Sequence, residues 1–171
     1  MRLREYHEQD AEPVLALNQS NLDAVGPLDQ QRLGWLVSLA ERVLVADDDG
    51  AVAGFVVLIG PGSGYDSPNY RWHAQRRSAL YLDRVVVAPT ARRRGIGTLL
   101  YDAAEELAGP YGAITLEVYA EPPNEASLAF HASRGYVEVG RLSQEGGKVA
   151  AMLVKPLGRQ AGQAAGAGTR Q

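Results

Sequence analysis

A chain of 171 residues with 46% hydrophobic and 22% charged content reads as one globular domain with enough length for a core. Seventeen basic against twenty acidic residues give a net charge of −3, so there is no general electrostatic case for nucleic acid or membrane. The absence of cysteine excludes disulfides, thiolate catalysis and zinc-thiolate sites, and three scattered histidines give no metal spacing. Met1 is followed by alternating polar and apolar residues and no run approaches a membrane span, so a cytoplasmic location is expected.

Arg2 to Tyr6 alternates weakly and predicts a first strand. Glu8 to Asn21 predicts a helix, with Asp10 as N-cap and Pro13 in the first turn. Gly26-Pro27 breaks it, and Leu33, Leu36, Val37 and Ala40 recur at helical spacing behind Asp29. Val43 to Ala46 and Ala51 to Ile59 are apolar, β-branched runs about Asp49-Gly50, a hairpin signal. Gly60 to Ser78 predicts a long loop. It holds Tyr65, Tyr70 and Trp72, which suit a lid that binds an acceptor, an anchor of the loop itself or a dimer contact.

Leu80 to Val87 predicts a central strand, with Tyr81, Asp83, Val85 and Val87 on one face. Arg92-Arg93-Arg94-Gly95-Ile96-Gly97 follows it and opens a helical run from Thr98 to Ala108, stopped by Gly109-Pro110. Strand, glycine turn and helix N-terminus in that order make a phosphate cradle, and the arginines add donors suited to phosphate oxygens. No lysine precedes Thr98, as a Walker loop requires, and Leu100 stands where a dinucleotide fingerprint needs glycine. Ile114 to Tyr119 predicts a strand carrying Glu117, and Asn124 caps a short helix ending at Gly135. Tyr136 to Leu142 and Val149 to Lys155 predict a final hairpin through Glu145-Gly146-Gly147. From Gly158 on, Gly, Ala and Gln cannot repay their ordering entropy, so residues 1–157 are expected to form the domain and 158–171 a disordered tail.

Arg-x-x-Gly-x-Gly after a strand ending in Val-Ala-Pro resembles the acetyl-CoA pyrophosphate loop of the GNAT N-acetyltransferase superfamily. The segment Asn124 to Tyr136 is similar to that family's later pattern of Asn, a small residue, an aromatic pair and Gly-Phe/Tyr. The resemblance covers about Arg2 to Pro156. Its departure is His131, which stands where the family usually carries a tyrosine acid. Segments Asp66 to Trp72 and Glu117 to Asn124 look like a subgroup of bacterial acyltransferases whose substrate the resemblance does not give.

The resemblance implies a mixed α/β fold. Its centre is a mostly antiparallel sheet of about seven strands whose central strands splay, flanked by about four helices. It implies acetyl-CoA as acyl donor, no metal, and a primary amine on a small molecule or peptide as acceptor. The donor is expected to meet Val85, Val87, Arg92, Arg93, Arg94, Gly95, Ile96, Gly97, Thr98, Asn124, Ser127 and His131. The two early helices, with Asn18, are expected to wall the acceptor cleft beside Tyr65, Tyr70 and Trp72. The backbone N–H groups of Val85 to Val87 are the family's usual oxyanion partners.

Asn124, Ser127 and His131 lie at helical spacing and share a face. His131 is the candidate acid for the leaving thiolate, as imidazolium or through a neutral N–H, with Tyr119 or Tyr136 as alternatives. Asp83, Glu117 and Glu121 are candidates for the base, beside the alternative that none is dedicated to it. Three readings of the whole stand open: an N-acetyltransferase, monomeric or homodimeric; a non-catalytic acyl-CoA-binding module; and a nucleotide-binding oxidoreductase, which would require NAD(P) binding.

Overall fold

The computed structural model describes residues 1–158; the expected disordered tail falls almost wholly on 159–171, outside the described residues. Asp49 and Gly50 both take positive φ, 52° and 90°. They join β2 (Arg42–Asp48) to β3 (Ala51–Ile59) by the tight turn whose twist matches the strands. β1 (Arg2–Glu5) precedes them, and β4 (Leu80–Val87), β5 (Ala113–Glu121), β6 (Val137–Ser143) and β7 (Val149–Pro156) complete the sheet. The seven strands run in the order β1-β2-β3-β4-β5-β7-β6, antiparallel everywhere but at β4-β5.

That parallel pair holds only at Leu80–Ile114 and Tyr81–Thr115, so the two strands part beyond Tyr81. The other edge of β4 shows why. Leu58 of β3 faces Leu82 while Val57 faces Arg84, which leaves Asp83 as an extra residue on β4. Such a bulge bends its strand and ends pairing. It also inverts the side-chain alternation, which corrects the expectation that Tyr81, Asp83, Val85 and Val87 share one face. Leu80 and Leu82 pack in the same core as Val85 and Val87. Tyr81 packs with Val86 on the opposite face.

Five α-helices cover the sheet among the described residues: α1 (Ala11–Gln19), α2 (Gln30–Leu39), α3 (Pro68–Ala74), α4 (Ile96–Ala108) and α5 (Glu125–Ser133). Ile96, Leu100, Ala104 and Ala108 of α4 fill the core shared with Leu80 and Leu82. Leu17 of α1, Leu33 and Leu36 of α2 and Tyr70 of α3 fill the other. Asp29 caps α2, its Oδ1 accepting the Arg32 N–H at 2.7 Å.

Two further expectations change. Asp10 occupies the N-cap of α1 without capping it. Its carboxylate instead accepts the His7 N–H at 2.8 Å and two N–H groups of the Arg4 guanidinium at 2.7 and 2.8 Å, which ties β1 to the helix. The Gly60–Ser78 segment is not a continuous loop, because α3 lies within it. Ser67 Oγ accepts the Tyr70 N–H at 3.3 Å and Pro68 fills the first helical position, where its missing N–H costs nothing.

Candidate active site

The parting of β4 from β5 opens a cleft of about 350 Å³, with residues of α4 and α5 at one end and the α1–α2 connection and the start of α3 at the other. Its wall includes unpaired backbone at Val85, whereas Val87 lies just beyond the lining. The Ala88 N–H donates to Ala53 O on β3 at 2.8 Å. Alternation then turns the amides of Val85 and Val87 away from β3, to the edge that β5 has left.

Glu117 lies on β5 at this gap. Tyr81 Oη donates to both its oxygens, at 2.9 and 2.8 Å, and Asn69 Nδ2 donates to Oε1 at 2.9 Å. Gln144 Nε2 in turn holds Asn69 Oδ1 at 2.9 Å. Burial pushes the Glu117 carboxyl up to about 8; the Asp83 charge adds to this, while the Tyr81 and Asn69 bonds and the Arg84 charge oppose it. Protein encloses the group, yet the cleft leaves it partly open to solvent, so protons reach it. A carboxyl tuned to that range in a cleft suits a general base. Asn69 and Tyr81 escaped sequence reasoning because their roles arise from pairing across the sheet; the Ser67-Pro68 helix start was the one local sign that Asn69 is fixed.

Asp83 also lines the cleft, but both its oxygens are engaged, by Tyr65 Oη at 2.6 Å and Arg84 Nε at 2.8 Å. Arg84 Nη1 continues to Asn18 Oδ1 at 3.0 Å and Gly26 O at 3.2 Å. Asn18 is fully buried and meets the cleft through Arg84 and through Gly26, whose carbonyl accepts its Nδ2 at 3.0 Å. Glu121 lies at the surface and pairs with Arg141 at 3.1 Å. Of the expected acceptor aromatics only Tyr65 lines this cleft. Tyr70 is buried with its hydroxyl on Gly60 O at 2.8 Å. Trp72 packs on Gly140, where a Cβ would lie 2.5 Å from its ring, and stacks with Arg76 at 3.8 Å.

At the other end, Asn124 Oδ1 caps α5 by accepting the Ser127 N–H at 3.1 Å, and Asn124, Ser127 and His131 all line the cleft. His131 is 3% exposed, and burial holds its pKa below the ordinary value. Its Nδ1 lies 2.7 Å from Ser127 O and its Nε2 2.7 Å from Tyr101 Oη, so both ring nitrogens are engaged within the protein. Tyr101, on α4, lines the cleft as well. Of the two alternative phenols, Tyr119 lines the cleft, whereas Tyr136 bonds to Glu105 at 3.1 Å.

The arginine turn meets α4 at Gly95, whose φ of 78° is left-handed and asks for glycine. Beyond it the N–H groups of Ile96, Gly97 and Thr98 precede the first intrahelical bond, Leu99 N–H to Gly95 O. A Cβ on Gly97 would meet no atom outside its own stretch of helix within 4 Å, so that face of the turn is open, as a pyrophosphate cradle requires. Arg94 pairs with Asp48 at 2.7 Å and Arg92 donates to Asn21 at 3.1 Å, while Arg93 is exposed. The turn lies beyond the cleft lining, at the N-terminal end of the helix that carries Tyr101. No described helix is long and apolar enough to cross a membrane.

A family model described as the acetyltransferase (GNAT) family matches residues 6–136. An L-2,4-diaminobutyric acid acetyltransferase of Nocardia farcinica is 31% identical over 99 residues, 58% of this chain and 45% of that protein. A mycothiol acetyltransferase of Mycobacteroides abscessus is 31% identical over 130 residues, 76% of this chain and 39% of that protein. The chain thus spans less than half the length of these curated relatives. The crystal structure of Ard1 from Thermoplasma volcanium matches with a TM-score of 0.73 at 22% identity, covering 91% of this chain and 97% of that one.

Proposed function

This chain belongs to the GNAT acetyltransferase family, and on that premise we propose that it transfers an acetyl group from acetyl-CoA to a primary amine of a small molecule or peptide. The observation that carries the reading is Glu117: a half-buried carboxyl, tuned upward, at the point where β4 leaves β5 and frees the amides of Val85 and Val87. An ammonium must lose a proton before it attacks, and a base near the operating pH suits that step. Tyr81 and Asn69 fix the carboxylate, and the freed β4 amides are placed to stabilise an oxyanion. The turn Arg92 to Thr98 supplies amide and guanidinium donors for a pyrophosphate, and the acetyl donor it holds supplies the activated acyl group. The names of the two curated relatives, each an acetyltransferase, agree with this class of reaction.

The experiment is incubation with acetyl-CoA and a panel of primary amines, read as free thiol released and as the mass of the acetylated product. Turnover that needs an amine supports the reading. Acetyl-CoA binding with no transfer to any amine, and none to amines in a metabolite extract, makes the protein an acyl-CoA-binding module instead.

A further inference from the structure

Resting on that reading, we infer that Tyr101 of α4 donates the hydrogen bond that stabilises the departing thiolate, and that His131 holds the Tyr101 hydroxyl ready for it. The Ser127 carbonyl can only accept, so its 2.7 Å contact fixes a hydrogen on His131 Nδ1. Burial keeps the ring neutral, which leaves Nε2 as a bare acceptor. The 2.7 Å contact between Nε2 and Tyr101 Oη is therefore made with the phenol hydrogen. His131 retains no hydrogen for a ligand. The mobile one belongs to Tyr101.

Position and packing agree. Tyr101 and His131 line the cleft on the side of Asn124 and Ser127. The Tyr101 ring is clamped edge-on by Phe130, His131 and Tyr136, at centroid separations of 5.0, 5.2 and 6.4 Å. Leu100 and Ala104 beside it on α4 show that apolar side chains suit this core, so packing alone does not call for a hydroxyl. The charged groups around the pair are Arg134, 5.5 Å from the Tyr101 ring, Glu105, which Arg134 and Lys155 hold at 3.0 and 2.6 Å, and Glu117 on the same cleft, whose charge also bears on the Tyr101 phenol.

Burial makes the Tyr101 phenol a weaker acid, so it donates a hydrogen bond rather than surrendering its proton. The step balances without it. The amine nitrogen bonds to the carbonyl carbon, the C–S bond breaks and its electron pair stays on sulfur. The proton that sulfur finally takes comes from the attacking nitrogen. Tyr101 O–H swings from Nε2 to sulfur and returns. A hydrogen bond to a developing charge is among the stronger kinds.

The test is Tyr101→Phe, which keeps the ring. Its kcat with acetyl-CoA is expected to fall about 100-fold, with both KM values within about twofold of wild type. Calorimetry from about pH 7 to about pH 10, over which the alkyl thiol of coenzyme A ionises, separates this role from a structural one. As the thiolate forms, the gain in affinity for coenzyme A should be about tenfold smaller in the variant than in wild type, while affinity for acetyl-CoA holds. Equal losses for both ligands, or wild-type kcat with unchanged coenzyme A affinity, overturn the inference. So does a larger kcat loss in His131→Ala than in Tyr101→Phe, which makes His131 the donor. Should the wild type acetylate no amine, the acyl-transfer reading fails by itself, and the two affinities alone decide for or against Tyr101.

Discussion

Replacing Glu117 by Gln keeps an acceptor for Tyr81 and Asn69 while removing the titratable proton. The carboxyl is raised from 4.5 to about 8, so at pH 7 only about a tenth of the protein carries the basic form. The wild-type rate through this base should therefore climb about tenfold per pH unit and level off near pH 8. The acceptor amine titrates too, but in the ratio of wild-type to variant rate its ionisation cancels. That ratio should rise to about 10²–10⁴ and then flatten. The same proton leaves a mark on stability. Between about pH 4.5 and 8 the folded state retains a proton that the unfolded chain has lost, so wild-type stability falls as pH rises through that window. At about 1.4 kcal/mol per pH unit the fall sums to roughly 3–5 kcal/mol, allowing for the solvent that enters through the cleft. Glu117→Gln lacks this fall and should gain on wild type in urea melts as pH rises from about 5 to 8. A rate ratio that stays flat from about pH 6 to 9, with parallel stability curves, would refute Glu117 as the base.

Gly97→Val adds a side chain where no atom outside its own stretch of helix lies within 4 Å, so stability should change by less than about 1 kcal/mol. Calorimetry should nevertheless show acetyl-CoA affinity down by at least about tenfold, and an unchanged affinity rules out this turn as the cradle. Gly54→Ala is the converse case. Its methyl would lie 2.8 Å from Val86 O, 3.1 Å from Ile96 Cγ2 and 3.2 Å from Leu100 Cδ1. The urea midpoint should drop by the equivalent of about 1–3 kcal/mol, and wild-type stability would show that β3, β4 and α4 pack less tightly there.

What was legible in the sequence was whatever is written in adjacent residues. Asp49-Gly50 specifies its own turn, Asp29 its own cap, and Gly95 its own left-handed φ, because each decision is settled within a few bonds. The seven strands and the order of the two motifs followed from apolar runs and glycine punctuation in the same way. The bulge at Asp83 was not legible, since nothing in Leu80 to Val87 marks the residue that β3 will leave unpaired. Its consequences spread: it reverses the face on which Val85 and Val87 sit, parts β4 from β5, and leaves Asp83 to Tyr65 and Arg84.

The two ends of the cleft show the same division. Asn124, Ser127 and His131 share a face by helical spacing alone, and the structure puts all three on the cleft wall. What His131 can give is set by Tyr101, thirty residues away on another helix, and by the carbonyl of Ser127 one turn back. What Glu117 can take is set by burial and by Asp83, Tyr81, Asn69 and Arg84, contributed by β4 and α3. Sequence motifs therefore locate groups that can carry protons, but the direction in which a proton moves depends on partners that only the folded chain assembles. In this cleft the partners leave Glu117 as the group with room for a proton and Tyr101 as the group with a hydrogen to offer.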